Sequence, residues 1–412
     1  MTALQNMIAA VDCHAGPRSI SPWCLPDRLR EPALHRVRHV CVQLMRQRSE
    51  LMTQPSSFSS GAAPASLLLA SAGHAFGIEA YATTAFELMD YAVGNMNYES
   101  QTFYGGMPGV LWCALNLDRV CETFEYAGLA DDADDALLDA LAPANEWGGH
   151  FDIINGLAGL GVYVLERREA RRFPEMAEAV VDHLERLATR DGDGLFWPTT
   201  RKMNVGAWKG GDQDSIADIG MAHGSAGVVA LLSALIEAGA PRERILPQLD
   251  NATAWLLAQR RGSPETGVYP YTVGSHASTR GAWCYGDFSS ANALLLASRA
   301  LARPDLAADA SMLLHGAVRR TDASLQIEDA WICHGHMGLA HLLRRASEQL
   351  GDPALAEQAL RFYAGALDWP SQAPDTPPCV PTYLEGDIGN SLGYLDASGL
   401  LTYRWDRPCL FA

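Results

Sequence analysis

Basic residues are scarce in this chain. Against 48 Asp and Glu stand only 31 Lys and Arg, a formal net charge of −17. Nucleic-acid binding needs a basic patch to displace counterions, and docking on anionic lipid needs one as well. Both are therefore excluded as the main activity. Long apolar runs are also missing: VVALLSALI (228–236) falls far short of the roughly 20 residues that span a bilayer. The opening MTALQNMIAAVDCHAG has no basic stretch followed by an apolar one, so no secretory signal is expected. The nine cysteines are odd in number, widely dispersed and nowhere arranged as CxxC. That excludes a compact disulfide framework and a local zinc-finger pattern. The chain is expected to be cytoplasmic and not an integral membrane protein. Most of its cysteines should be packed thiols, with a minority acting as ligands or nucleophiles.

What is abundant is Ala and Leu, in a chain of 412 residues that is 48% hydrophobic. This composition favours helices and allows a large core. Residues 1–60 read as a lead-in: Pro17, Pro22 and Pro26 break its start, a helix is expected over about 28–52, and the Ser-rich QPSSFSSGAAPAS (54–66) follows. The lead-in should pack on a single main domain, 61–412.

Within that domain a small-x-x-small element recurs seven times, each time followed by an apolar run. Its copies start at Ala70, Gly106, Gly156, Gly224, Gly286, Gly335 and Gly386. Two small residues three apart share one face of a helical turn and let another backbone approach closely. The apolar runs that follow are hydrophobic nearly all round, as in buried helices. Between them lie amphipathic segments. In 175–190, Pro174 stands at the start and Met176, Val180, Leu184 and Leu187 form one stripe. Buried and amphipathic helices alternating seven times predict two concentric layers, an inner barrel and an outer cover. An open helical array is the rival arrangement.

Three short motifs stand where a loop runs into a buried helix: AHG at His223, WCYG at Cys284 and CHGH at Cys333 and His334. Parallel inner helices would crowd all three at one end of the barrel. Catalytic zinc takes three protein ligands and keeps one position open, and two thiolates with one imidazole form such a set. Yet Cys284 and Cys333 are 49 residues apart, and buried structural thiols are common. The residues alone leave both readings open. His336 and His341 read as packing or surface histidines.

The combination of AHG, WCYG and CHG, in that order and each opening a small-x-x-small helix, resembles the LanC family of lanthionine synthetase cyclases. The resemblance runs from about Ser66 to the C-terminus. It implies an all-α toroid of seven inner and seven outer helices. It also implies one catalytic zinc held by Cys284, Cys333 and His334. His223 would move protons, Asp152 of FDIINGLAG would orient it or raise its pKa, and Arg280 would stabilise an enolate oxygen. Tyr285 is carried over as functional with no firm role. The chain departs from the family pattern at Phe288 and Ser289, which replace a Pro-Gly pair, and at Ala70, where Gly is usual.

The implied reaction is Michael addition of a precursor-peptide cysteine to dehydroalanine or dehydrobutyrine, giving a lanthionine or methyllanthionine ring. The resemblance is also compatible with these partners: a dehydrated precursor peptide, a dehydratase and an export transporter in a membrane-bound modification complex. Two other readings remain: addition of glutathione to dehydroamino acids, as in LanC-like proteins, and a non-catalytic zinc-containing scaffold that binds peptides. Bland roles also exist for four of the residues. His223 could be only a core histidine. Asp152 could only cap the following helix, Arg280 could only pair with an acid, and Tyr285 could only pack.

Overall fold

The computed structural model describes residues 23–192, 194–201, 203, 213–370 and 379–412. Pro17, Pro22 and Cys13 fall outside them. Fourteen α-helices are described and arrange themselves in two layers. In chain order they are α1 (Asp27–Leu51), α2 (Ala62–Phe76), α3 (Glu79–Gly94), α4 (Met107–Cys121), α5 (Ala127–Ala140), α6 (Leu157–Glu166) and α7 (Phe173–Leu187). Then come α8 (Ser225–Glu237), α9 (Arg242–Ala258), α10 (Gly286–Ala300), α11 (Pro304–Ala317), α12 (His336–Leu350), α13 (Pro353–Asp368) and α14 (Asp387–Ala397).

The seven even-numbered helices form the inner ring. Each touches the next in chain order, and α14 touches α2, which closes the barrel. Their burial follows from their sequences: every residue of α6 and of α14 is buried. The odd-numbered helices cover them, each packing on the inner helix just before it. In α7, Pro174 stands in the first turn, Met176, Val180 and Leu184 are buried and Leu187 is partly buried, as the stripe predicts. The helix of the lead-in, α1, packs on α14 and takes the seventh outer position.

The leading glycines explain how the inner helices start. At Gly106, Gly156, Gly224, Gly286, Gly335 and Gly386, a Cβ would run into backbone of the residue six places earlier in the chain. The loop therefore folds back tightly over the helix start, and only glycine leaves it room. The first copy differs from expectation. Ala70 and Gly73 lie inside α2, and the glycine that starts this helix is Gly61, at φ +85°. The Ser-rich stretch 54–66 packs into the core. Phe58 is fully buried and packs against Phe103, Tyr104, Trp112 and Tyr383.

Two features had no forecast. Residues 189–217 contain two short antiparallel pairs, β1 (Thr189–Asp191) with β2 (Gly194–Phe196), and β3 (Pro198–Thr200) with β4 (Ser215–Ala217). The C-terminal tail packs against the inner helices. Tyr403 Oη lies 3.0 Å from Ser71 Oγ of α2, and Arg407 donates to the Leu165 carbonyl of α6 at 3.2 Å. Asn292 of α10 donates to the Leu410 carbonyl at 2.7 Å, and Trp405 Nε1 donates to Asp396 of α14 at 3.0 Å. Asp406 accepts from Arg345 at 2.8 Å and sits 2.9 Å from His341 Nε2, all on buried side chains. Removing one member of such a buried charged group typically costs about 3–5 kcal/mol, because its partner is left without compensation.

Candidate metal centre and active site

The loops that precede the inner helices meet at one end of the barrel and are stitched together by backbone hydrogen bonds. Ser59 N–H donates to the Tyr104 carbonyl at 3.1 Å, and Tyr383 N–H donates to the Ser59 carbonyl at 3.0 Å. Cys333 N–H donates to the Leu384 carbonyl at 3.0 Å, Cys284 N–H to the Cys333 carbonyl at 3.3 Å, and Met221 N–H to the Cys284 carbonyl at 2.9 Å. Cys284 and Cys333, 49 residues apart in the chain, are thus bonded neighbours in this ring. Each stands just ahead of an inner-helix N-terminus, whose dipole favours a thiolate.

The ligating atoms of Cys284, Cys333 and His334 all lie within 4.8 Å of one another. Cys284 is 6% exposed. Its thiol is lowered to about 6, first because the Cys333 thiol donates to it, and further by His334 and Arg280 against the opposing effect of burial. Cys333 is correspondingly raised, because it keeps the shared proton. His334 is raised to about 10 by its hydrogen bond to Asp329 and then by its bond to Cys284. Asp329 Oδ2 lies 2.9 Å from His334 Nε2. A carboxylate on one ring nitrogen is the usual backing for a histidine that ligates metal with the other. The donor set fits zinc: two sulfurs and one nitrogen, with one position left for a further ligand.

The remaining predicted residues surround this cluster. His223 Nδ1 is 2.7 Å from Asp152 Oδ2. Asp152 Oδ1 accepts the Asn155 N–H at 2.6 Å, so this carboxylate both shapes the turn before α6 and holds the histidine. Burial pulls the His223 pKa down, but the hydrogen bond and charge of Asp152, with the charges of Asp218 and Cys284, lift it above its ordinary value. Arg280 forms no ion pair among the described residues. It is partly buried, bonded to Tyr271 and faced by the charge of Cys284. Tyr285 donates its hydroxyl to Asp218 Oδ2 at 3.1 Å. His336 packs against Phe362 and Trp369, away from the ligand trio. Trp283 of WCYG is buried, and its Nε1 donates to the Cys409 carbonyl at 2.7 Å, which ties the motif to the tail.

The departures from the family pattern have local consequences. Ser289 accepts the Met221 N–H at 2.8 Å, fastening the AHG loop to α10. In the same repeat the helix begins on Gly286 itself, at φ +83°, whereas α4, α6, α8, α12 and α14 begin one residue after their glycine.

Sequence reasoning missed Asp218, Asp329 and His150. All three occupy one register position, six residues ahead of a leading glycine, as does Arg280. The fold-back over the glycine sets that position above the helix start. His150 Nδ1 is 4.0 Å from Asp152 Oδ2. An open cleft of about 700 Å³ between two loops is lined by Glu99, Thr102, Trp147 and Asn155, and no candidate site residue lines it.

Comparison with known proteins identifies the family and the fold. The profile of a family described as lanthionine synthetase C-like protein matches residues 53–395. Among solved structures, nisin cyclase superposes with a TM-score of 0.73 at 19% identity, over 90% of this chain and 96% of that one. An unsaturated glucuronyl hydrolase from Bacillus sp. GL1 gives a TM-score of 0.39 at 15% identity, over 70% and 84% of the two chains. Among curated proteins the comparison finds no match. The similarity to nisin cyclase establishes the toroidal fold.

Proposed function

The chain belongs to the lanthionine synthetase C-like family, and from that premise we propose that it is a zinc-dependent peptide cyclase. Its reaction would add a cysteine thiol of a peptide to a dehydroalanine or dehydrobutyrine of the same peptide, closing a thioether ring. The observation that carries this reading is the Cys284–Cys333–His334 cluster, with donor atoms within 4.8 Å, beside a histidine held by a buried carboxylate.

Zinc held by these three residues would act as a Lewis acid and lower the pKa of a substrate thiol that completes its coordination. Two protein thiolates would already balance its charge, so an added thiolate keeps its nucleophilicity. The chain's own residues supply the rest. With Nδ1 committed to Asp152, the neutral His223 presents Nε2 as a base and takes the thiol proton. The sulfur lone pair forms the C–S bond at the β-carbon, and the C=C pair moves into an enolate. His223 returns the proton to the α-carbon, so the reaction is an isomerisation with no co-reactant. Arg280, faced by the charge of Cys284, would stabilise the enolate oxygen. Because the substrate must already contain dehydroamino acids, a dehydration step must come first.

The test is incubation of the zinc-loaded protein with a dehydrated peptide containing one cysteine. Cyclisation leaves the mass unchanged and removes the free thiol from alkylation. If the thiol stays alkylatable and mass is gained only when glutathione is added, intermolecular thiol addition replaces the reading. If neither reaction occurs while zinc and peptide bind, the scaffold reading replaces it.

A further inference from the structure

Asp218 lies on no motif, yet it is 7% exposed and stands among the candidate site residues. Its Oδ2 accepts the Tyr285 hydroxyl at 3.1 Å, and the Gly220 backbone N–H also favours its charged form. It faces His223 and, more distantly, Asp152. Burial pushes its carboxyl up to about 6 against the pull of His223, Tyr285 and the Gly220 backbone N–H.

The backbone around Asp218 is built to hold it still. Asp218 pairs with Thr272 in an antiparallel bridge, and Ile219 N–H donates to the Tyr271 carbonyl at 3.1 Å. The Tyr271 ring meets the Tyr285 ring edge-on, with centroids 5.3 Å apart and planes at 66°. The Tyr271 hydroxyl in turn accepts the Arg280 backbone N–H at 3.0 Å. Tyr285 is thus gripped at its hydroxyl by Asp218 and at its ring by Tyr271, and Tyr271 also fixes Arg280. Asp218, Arg280 and Asp329 share the register position six residues before a leading glycine, and Asp329 backs the ligand His334.

We propose that Asp218 is a positioning residue for the ring-closing reaction, its carboxylate fixing the Tyr285 phenol beside His223 while Tyr271 braces the ring from the other side. This rests on the cyclase reading. Asn at 218 keeps an acceptor of the same shape for the Tyr285 hydroxyl, whereas Ala removes it. The role therefore predicts that Asp218→Asn retains most activity and Asp218→Ala does not.

The experiment is a double-mutant cycle between Asp218→Ala and Tyr285→Phe, with Asp218→Asn alongside, on a dehydrated cysteine-containing peptide. Each single variant should lower kcat by about ten- to a hundredfold with KM unchanged, and the double variant should fall no more than about threefold below the worse single. Asp218→Asn should stay within about threefold of the unchanged protein, and zinc content should hold in every variant. Fully multiplicative losses, or an Asn variant as poor as the Ala variant, would overturn the proposal. A wild-type protein that closes no ring would refute the cyclase reading instead. Crystal structures test the positioning without turnover: the Tyr285 ring should move in Asp218→Ala and stay in Asp218→Asn. A ring unmoved in the Ala variant would also overturn it.

Discussion

Replacing Asp152 by Asn should slow ring closure while leaving zinc in place. The shape is kept, but the carboxylate that accepts from His223 Nδ1 at 2.7 Å becomes an amide. A hydrogen bond to a charged group contributes about 1.5–3 kcal/mol. Asp152 is 3% exposed, but the His223 side chain keeps 41% of its surface open, so solvent screening favours the lower end of that range. About 1.5 kcal/mol corresponds to a roughly tenfold fall in kcat. An amide that turned its N–H₂ towards the ring would also favour the wrong tautomer and deepen the loss. The pH profile gives a second readout. The His223 pKa lies above its ordinary value of 6.5 despite burial, because of Asp152, Asp218 and Cys284. A raised histidine pKa stabilises the fold fully below pH 6.5, and that contribution fades as pH rises through the folded pKa. Loss of the Asp152 charge should therefore move the His223 limb of the rate profile to lower pH. Steady-state kinetics from pH 5.5 to about 9, with metal analysis of each sample, measures both effects. An unchanged kcat and an unmoved limb would refute the reasoning, as would a variant that fails by losing zinc.

Asp329→Asn should weaken zinc binding by about ten- to a hundredfold, because its carboxylate backs His334 at 2.9 Å; competition with a chromogenic chelator measures this, and an unchanged affinity would count against it. Gly338→Ala should lower the denaturant midpoint by the equivalent of about 1–3 kcal/mol, since the added methyl overlaps the Ile332 carbonyl. His341 should make the fold acid-sensitive. Burial lowers its pKa to about 4, so below pH 6.5 the unfolded chain gains a proton that the fold does not take up until near pH 4. Stability should fall across that window by up to about 3 kcal/mol, and urea titrations at pH 7 and pH 5 with equal midpoints would contradict the argument.

The legibility of this protein was uneven for physical reasons. Small residues that admit a close backbone leave a periodic trace, so the inner helices could be placed from glycines and apolar runs. The exception was α2, where Ala70 and Gly73 imitate the pattern in mid-helix while Gly61 does the work. The outer role of α1 was hidden because closure of a ring is a long-range property that no local window contains. The C-terminal tail was hidden for the same reason: Tyr403, Arg407 and Leu410 bind inner helices at Ser71, Leu165 and Asn292, more than a hundred residues earlier in the chain. Around the site, residues inside short motifs were readable, whereas Asp218 and Asp329 were not. Their signal was a spacing, six residues before a leading glycine, whose meaning depends on the loop folding back over the helix start.

The most direct test of the account is zinc content and ring closure measured on the same samples of wild-type, Cys284→Ala and Cys333→Ala protein. The account predicts one zinc per wild-type chain with conversion of a dehydrated cysteine peptide to an isomer that no longer alkylates, and loss of both in each variant. Stoichiometric zinc retained in both variants, or ring closure undiminished without zinc, would contradict it.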